Sequence, residues 1–585
     1  ALPISREGDH DHHILRRQLE QRARPVRGAA DTGERLHVVA VQFQPVREHA
    51  GEIAAGAEPG DQHPPRAEDG GDDLLARLGR QAFADRFQVG QVVRNRHGHD
   101  LGARRLARQL VTHPLHWRQR ALESAHEFGA ERRKTGETAS GGFNTDFTRT
   151  SLNRLLQGFM FADARELPTT KTILRPAGED EVTAVTGATG YAVTTVAPFA
   201  TGMLVYASGF GFAANNGVKL ITNATAVAGG YTVNVTPAAV NEPAPPSDAA
   251  LEVCGFQFGA GLVSLAVTGD IVSLVGSGAV DFTNRPNLIP GAWVFIGGDQ
   301  PNTRFGNNSG YARIKTVTAQ IIVFDDVTFT PVTEAGAGKS IRLFLGTIIR
   351  NEKNPDLIKM RSYQLERTLG EGENGVQAEY LEGAVANEFS LELPAEEKIA
   401  ADLTFLACRR TFRTGNVGDL IKTGDRIEAS GEEVYNTTSD IYRMKIAVSN
   451  PISSTLPPLV GYVQEGSIAI TNNASPNTAI GTMGAIDFQF GDFEVSGSLT
   501  AYFADIGSVK SINDDSDCAF NVIGAYSNYG FVFDMPLLTL SGGTLNVEKD
   551  APITLPIEKQ AVEGEAGFTL LYQFFPYLPD LAMPE

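Results

Sequence analysis

The chain is short of the residues most often used for catalysis. It has three cysteines in 585 residues, Cys254, Cys408 and Cys518, and no two are close enough to form a C-x-x-C pair. That spacing argues against a disulfide framework and a cysteine-based zinc site, and leaves buried free thiols as the expectation. All eleven histidines lie between His10 and His126. No Ser-His-Asp or Cys-His constellation can therefore be assembled from the rest of the chain. The first 134 residues lack Tyr, Met and Cys, and carry a single Lys, Lys134, against 21 Arg. No apolar run near Ala1 reads as a signal peptide, because Arg6, Asp9, Asp11, Arg16 and Arg17 interrupt it. Residues 182–218 carry no charge, but they are rich in Gly, Thr and Ala and include Pro198. Strands and turns explain such a stretch better than a membrane-spanning helix.

Charge divides the chain in two. Of 69 acidic and 50 basic residues, 19 and 22 fall within residues 1–134, which leaves 50 and 28 in the body, a net −22. A body this acidic does not suit general nucleic-acid binding or an anionic membrane surface, both of which call for Lys and Arg. It suits a surface from which DNA is repelled. The leading segment, residues 1–140, reads as lying outside the folded body. Its Arg without Lys and its scattered His fit an out-of-frame translation of GC-rich DNA, and the alternative is a disordered arm.

Organised patterning starts near Phe143. Leu152, Leu155, Leu156 and Phe159 recur at helical spacing, with Thr150 or Ser151 as the expected cap. From Glu181 the period becomes two, as in Tyr231, Val233 and Val235, and a Pro-rich linker over 241–247 closes this unit. A weak repeat follows at an offset of about 90 residues. Gly202–Tyr206 is echoed by Gly291–Phe295, Asn215–Gly217 by Asn307–Gly310, and Tyr231–Val235 by Ile321–Phe324. Later alternations include Phe389–Leu393, Tyr442–Val448 and the long run Phe493–Phe503, which presents one apolar and one polar face. A long two-faced strand needs its edges covered, and ring or barrel closure does so most completely. The division expected is 1–140 as above, 141–180 a helix and arm, 181–250 and 251–345 two small β-domains, and 346–585 the main β core.

Four motif-like stretches have simpler readings. Gly370–Gly375 matches GxGxxG, but Glu371 and Glu373 would repel phosphates and no amphipathic helix follows, so an acidic loop is expected. Gly336–Ser340 resembles the end of a P-loop, yet Thr333 stands where its first Gly belongs and a strand follows, so a turn is expected. His10, His12, His13, His97, His99, His113 and His116 resemble a metal-binding tract but lie in the leading segment, without a folded shell around them. Asp514–Asp517 lacks the Gly and distal Glu of a calcium loop and reads as a solvated turn. No cofactor, metal site or catalytic residue is expected.

From about Thr148 the sequence resembles the tail tube proteins of long-tailed, non-contractile bacteriophages, the major tail proteins of siphophages. The residues that carry the resemblance are Gly346–Glu352, Arg361–Gly370, Val376–Leu381 and Gly383–Phe389, supported by Tyr435–Arg443, Phe490–Phe503, Leu545–Asp550, Thr150–Leu156 and Trp293–Asp299. It covers about three-quarters of the chain and stops short of residues 1–135. The fold it implies is mainly β: an antiparallel sandwich or half-barrel core, carrying here tandem small β-domains and one or two short helices. The function it implies is that of a structural virion protein whose hexameric rings stack into a tube. The tube would surround a tape-measure protein, meet tail terminator or distal tail proteins, and pass DNA through an acidic lumen without binding it specifically. Its place would be the virion tail, after assembly from the host cytoplasm. By the same resemblance Arg361, Tyr363, Glu366, Arg367, Gln377, Glu379 and Tyr380 form the candidate subunit interface. Two other readings stay open: a surface β-domain adhesin that binds carbohydrate or protein, against which the missing signal peptide counts, and a carboxylate-dependent hydrolase, for which no carboxylate pair stands out.

Overall fold

A computed structural model describes residues 136–170, 181–187, 190–194, 199–372, 375–415, 431–450, 452–503 and 505–584, together with short strand segments at Arg35–Val39, Val92–Arg94, Trp117–Gln119, Arg132–Lys134 and Arg426–Ile427. The fold is mainly β, with antiparallel sheets and two short α-helices in the described body. The expectations for the leading segment and its histidine tract fall almost entirely outside the described residues.

The main sheet is organised by the 19-residue strand Gly375–Leu393. On one side it pairs with Ala400–Ala407 and Arg409–Gly415, on the other with Tyr363–Gly372 and Val463–Thr471. The sheet continues through Glu494–Tyr502, Thr554–Ala561 and Tyr529–Gly542 to Cys518–Tyr526 and Leu571–Phe575. Glu494–Tyr502 is the strand expected over 493–503, and Val495, Leu499 and Ala501 face the core while Glu494, Ser496 and Ser498 face water. The sheet curls around the helix Asn153–Phe159. Leu155, Leu156 and Phe159 of the helix share one apolar core with Phe389 and Phe405 from one part of the sheet and Phe533 and Tyr572 from another. The ring of Phe147 touches Tyr435, Phe531, Phe533 and Tyr572, which ties the strand Ala139–Asp146 to the far strands. Each such buried side chain contributes about 1.5–3 kcal/mol.

The helix matches the apolar spacing, but its start differs from the expected cap. Ser151 Oγ accepts from the Thr148 amide and Thr150 is bonded to Glu432, so neither hydroxyl caps the first turn. Packing rather than capping holds this helix. The second helix, Ile506–Asn513, is capped by Asp505, whose carboxylate accepts from the Gly507 and Ser508 amides.

Residues 181–344 form a single twelve-stranded sheet with a duplicated order. The first half runs Ala250–Gln257, Met203–Ser208, Gly217–Val227, Gly230–Thr236, Gly190–Thr194, Glu181–Thr186. The second runs Arg342–Phe344, Trp293–Ile296, Gly310–Val317, Ile321–Val327, Ile271–Gly276, Val263–Thr268 in the same order. Even the register repeats: Leu204 faces Leu220 where Trp293 faces Arg313, and Ala207 faces Gly217 where Ile296 faces Gly310. The two halves join where Gly255, Phe256 and Gln257 pair with Phe344, Leu343 and Arg342. Each half also carries the same clasp. Glu242 accepts from Asn215 and the Gly211 amide, and Asn215 accepts from the Val240 amide. Glu334 accepts from Asn308 and the Asn307 amide, and Asn308 accepts from the Val332 amide. The clasp draws each of these chain segments along an outer sheet edge, Glu242 beside Val185 and Glu334 beside Leu265. The Pro-rich stretch over 241–247 is thus built into the sheet at Glu242 instead of swinging free as a linker.

A buried charge cluster joins this duplicated sheet to the main one. Asp326 accepts from Arg443, Lys445 and Asn521, and Arg313 reaches Asp534 and Asp325. The guanidinium groups of Arg313 and Arg443 lie over the buried Trp293 ring, at 6.0 and 5.4 Å from its centre. Burial works to raise the Asp326 carboxyl, but Arg443, Lys445 and Arg313 outweigh it and hold the group below the usual range. Asp534 has the weaker support: burial pushes it up to about 6 despite Arg313. Elsewhere Lys559 is buried with no carboxylate partner among the described residues; its ammonium donates to the carbonyls of Ser467 and Ser498, 2.6 and 2.9 Å away, over the Phe520 ring. Burial lowers it to about 7.

Two outcomes follow from these groups. Asp326→Asn leaves Arg443 and Lys445 without their carboxylate and is expected to cost about 3–5 kcal/mol in urea unfolding. The Lys559 pKa is depressed in the folded state, so between pH 7 and its unfolded value the unfolded chain binds more protons and folding stability rises with pH. Lys559→Met is expected to flatten that rise between pH 7 and 9, read as unfolding midpoints of the two proteins across the range.

Candidate assembly surface

Beyond the core, the first half of Gly375–Leu393 extends as a three-stranded ribbon between Tyr363–Gly372 and Arg409–Gly415. Gly370, at a register shift in Tyr363–Gly372, and Gly375, at the start of the central strand, adopt φ of +102° and +94°, the left-handed region that glycine enters without a Cβ penalty. The described residues of the GxGxxG stretch therefore belong to two paired strands, with Gly372 opposite Gly375, and no helix follows them. Gly336–Ser340 also leads into a strand, Arg342–Phe344, with Lys339 paired to Glu334 at 2.9 Å.

The ribbon is polar on both faces. On one, Glu379 is almost fully buried and pairs with Arg367 at 2.7 Å and with Arg410, whose guanidinium stacks over Phe412. On the other, Arg413 lies over the buried Tyr380 ring, and Glu382 pairs with Arg409 and accepts from Thr411. A sheet with charge on both faces adds little to its own subunit's apolar core. The strand Arg409–Gly415 is an edge among the described residues, with Arg409, Phe412, Arg413 and Thr414 exposed. The outer edge of Tyr363–Gly372 carries Arg35–Val39 in antiparallel pairing.

Of the seven sequence candidates, five share the ribbon: Glu366, Arg367, Gln377, Glu379 and Tyr380. Gln377 is exposed, Arg367 half-buried and the other three buried. Arg361 and Tyr363 sit at its base and turn inward. Arg361 donates to the Ala162 carbonyl at 3.0 Å and to Gln157 Oε1 at 2.7 Å, and it pairs with Asp163. The Tyr363 hydroxyl points at the carbonyls of Arg154 and Leu155. These two residues seat the helix Asn153–Phe159 against the ribbon. Arg409, Arg410, Phe412 and Arg413 lie outside the seven candidates, although their tight Arg-aromatic spacing is readable as a charged edge strand.

Among the described residues no cluster of three His, Cys, Asp or Glu is arranged to hold a metal ion, and no helix is long and apolar enough to cross a membrane. Cys254 and Cys518 are buried free thiols, and Cys408 is half-buried and free.

The seating of the helix yields a test. A Cβ at Gly158 would overlap the Tyr363 ring and hydroxyl. Alanine in a helix interior ordinarily gains about 1 kcal/mol over glycine. Here overpacking, worth about 1–3 kcal/mol, acts against that gain. Gly158→Ala is expected to lower the thermal midpoint, as measured by circular dichroism.

No curated protein matches the chain. Residues 276–566 match the family described as phage tail tube protein. The match begins at the end of Ile271–Gly276 in the second half of the duplicated sheet and runs through the ribbon, the central strand and most of the main sheet. A β core curled around a helix, a charged ribbon with an exposed edge, and this match across the same residues lead to one assignment: over residues 276–566 the chain belongs to the phage tail tube protein family, a structural tail protein.

Proposed function

We propose that the chain is the ring-forming subunit of a siphophage tail tube. Six copies close into a ring, rings stack around a tape-measure protein, tail terminator or distal tail proteins meet the tube ends, and DNA later passes along the lumen. Before assembly the subunit resides in the host cytoplasm. The observation that carries this reading is the ribbon. It projects charged residues on both faces and ends in the edge strand Arg409–Gly415, whose backbone and side chains fit pairing with another copy. The interface proposed takes in Arg361, Tyr363, Glu366, Arg367, Gln377, Glu379 and Tyr380 with that edge. Arg361 and Tyr363 act from beneath by fixing the ribbon's base, while Gln377 and the edge strand make the contact.

The net −22 of the body after residue 134 supports an acidic channel. Screening confines charge effects to about 8–10 Å at physiological salt, so a negative wall matters in a narrow lumen, where it repels phosphates and lets DNA slide. The role is structural, with no reaction catalysed.

The purified full chain is expected to form hexameric rings and tubes by electron microscopy. The double variant F412D/R413E, altered at exposed edge positions, is expected to remain monomeric in sedimentation while its circular dichroism spectrum stays that of the folded β protein. A native chain that stays monomeric under assembly conditions would overturn the reading.

A further inference from the structure

We infer that the hairpin Ser475–Asn477/Asp487–Gln489 is an axial joint that seats on the opposite end of the main sheet in a second copy of this chain. The inference rests on the tube reading above and assigns the surfaces by which one ring holds the next.

The hairpin connects Val463–Thr471 to Glu494–Tyr502, two strands paired side by side. It is held by three residue pairs, Ser475–Gln489, Pro476–Phe488 and Asn477–Asp487. An isolated two-stranded hairpin is marginal in water. Within this one, Phe488 is buried, while Ile480 is fully exposed, and Met483 and Ile486 are 54% and 53% exposed. Three large apolar side chains at one tip form a feature that calls for a cover.

The other end of the same two strands carries a second apolar group. The Tyr502 amide donates to the Tyr462 carbonyl at 2.9 Å, which places these residues side by side at the strand ends. Tyr462 is 83% exposed, Tyr502 40%, and Ile506, at the start of the following helix, 67%. Nine residues of strand separate the two groups, a span of about 30 Å.

The occupant follows from this placement. Two different apolar surfaces lie at opposite ends of one strand pair, so a copy displaced along the strand direction brings its hairpin tip to the neighbour's tyrosine end. Such a contact is heterologous: it leaves one free surface of each kind at the ends and propagates without closing. It is the geometry a tube requires along its axis. Both surfaces fall inside residues 276–566, the stretch that matches the tail tube family.

Ile480→Asp and Tyr462→Asp, made separately in the full chain, test the joint. Both positions are exposed, so circular dichroism melts are expected to match the native protein. Each variant is expected to form rings but no tubes in electron microscopy and sedimentation. Mixed, they are expected to give stacks of two rings, because one intact hairpin can meet one intact tyrosine end and nothing further can add. Tubes of native length from either variant, or a mixture that never pairs, would overturn the joint while leaving the ring reading intact. A native chain that forms neither rings nor tubes would instead overturn the tube reading itself.

Discussion

The charge cluster around Asp326 is the constraint on which the rest of the arrangement depends. Two large sheets could slide over one another if only apolar groups met between them, since apolar contact is non-directional. Asp326 prevents this. It takes Arg443 and Lys445 from one strand and Asn521 from the next, and nearby Arg313 returns the exchange by pairing with Asp534. Buried charges of this kind are costly to separate and tolerate little displacement. Around them, Trp293, Tyr311, Phe568, Leu571 and Phe575 supply the apolar area. The duplicated sheet is thereby fixed to the core as one packed unit.

The duplication accounts for much of what is unusual in the chain. Two six-stranded halves with one strand order and one register share a clasp built on Asn215 and Glu242 in the first and Asn308 and Glu334 in the second. They differ at the positions that meet the core. Trp293 and Arg313 of the second half stand where Leu204 and Leu220 stand in the first. The Asp326 charge cluster therefore involves the second half, while the first half meets the main body through Glu252 and Arg149. The family match begins in this same second half.

In the proposed role, function is a matter of surfaces rather than of reacting groups. The buried charges of the core hold a shape, and the ribbon and the hairpin present it. Glu379, inside the ribbon, spans Arg367 and Arg410 and so ties the three strands together beyond Leu365 and Leu381, which join the apolar core. The edge strand can then stay exposed without losing its form.

The sequence by itself determined the class of fold, the helix at Asn153–Phe159, the long two-faced strand at Glu494–Tyr502, and the echo that became the duplicated sheet. These are local periodicities, and a period of 3.6 or of two is written in neighbouring residues. It also determined that no histidine follows His126 in the chain. Only the tertiary structure decided which charges pair. Asp326 meets Arg443 across 117 positions and Arg313 meets Asp534 across 221. It also decided that Arg361 and Tyr363 turn inward to the helix, that Glu242 clasps a sheet edge within a Pro-rich stretch, and that Arg409–Gly415 is left as an edge. Each of these depends on which strand lies beside which, and strand neighbours distant in the chain leave no periodic trace in the sequence.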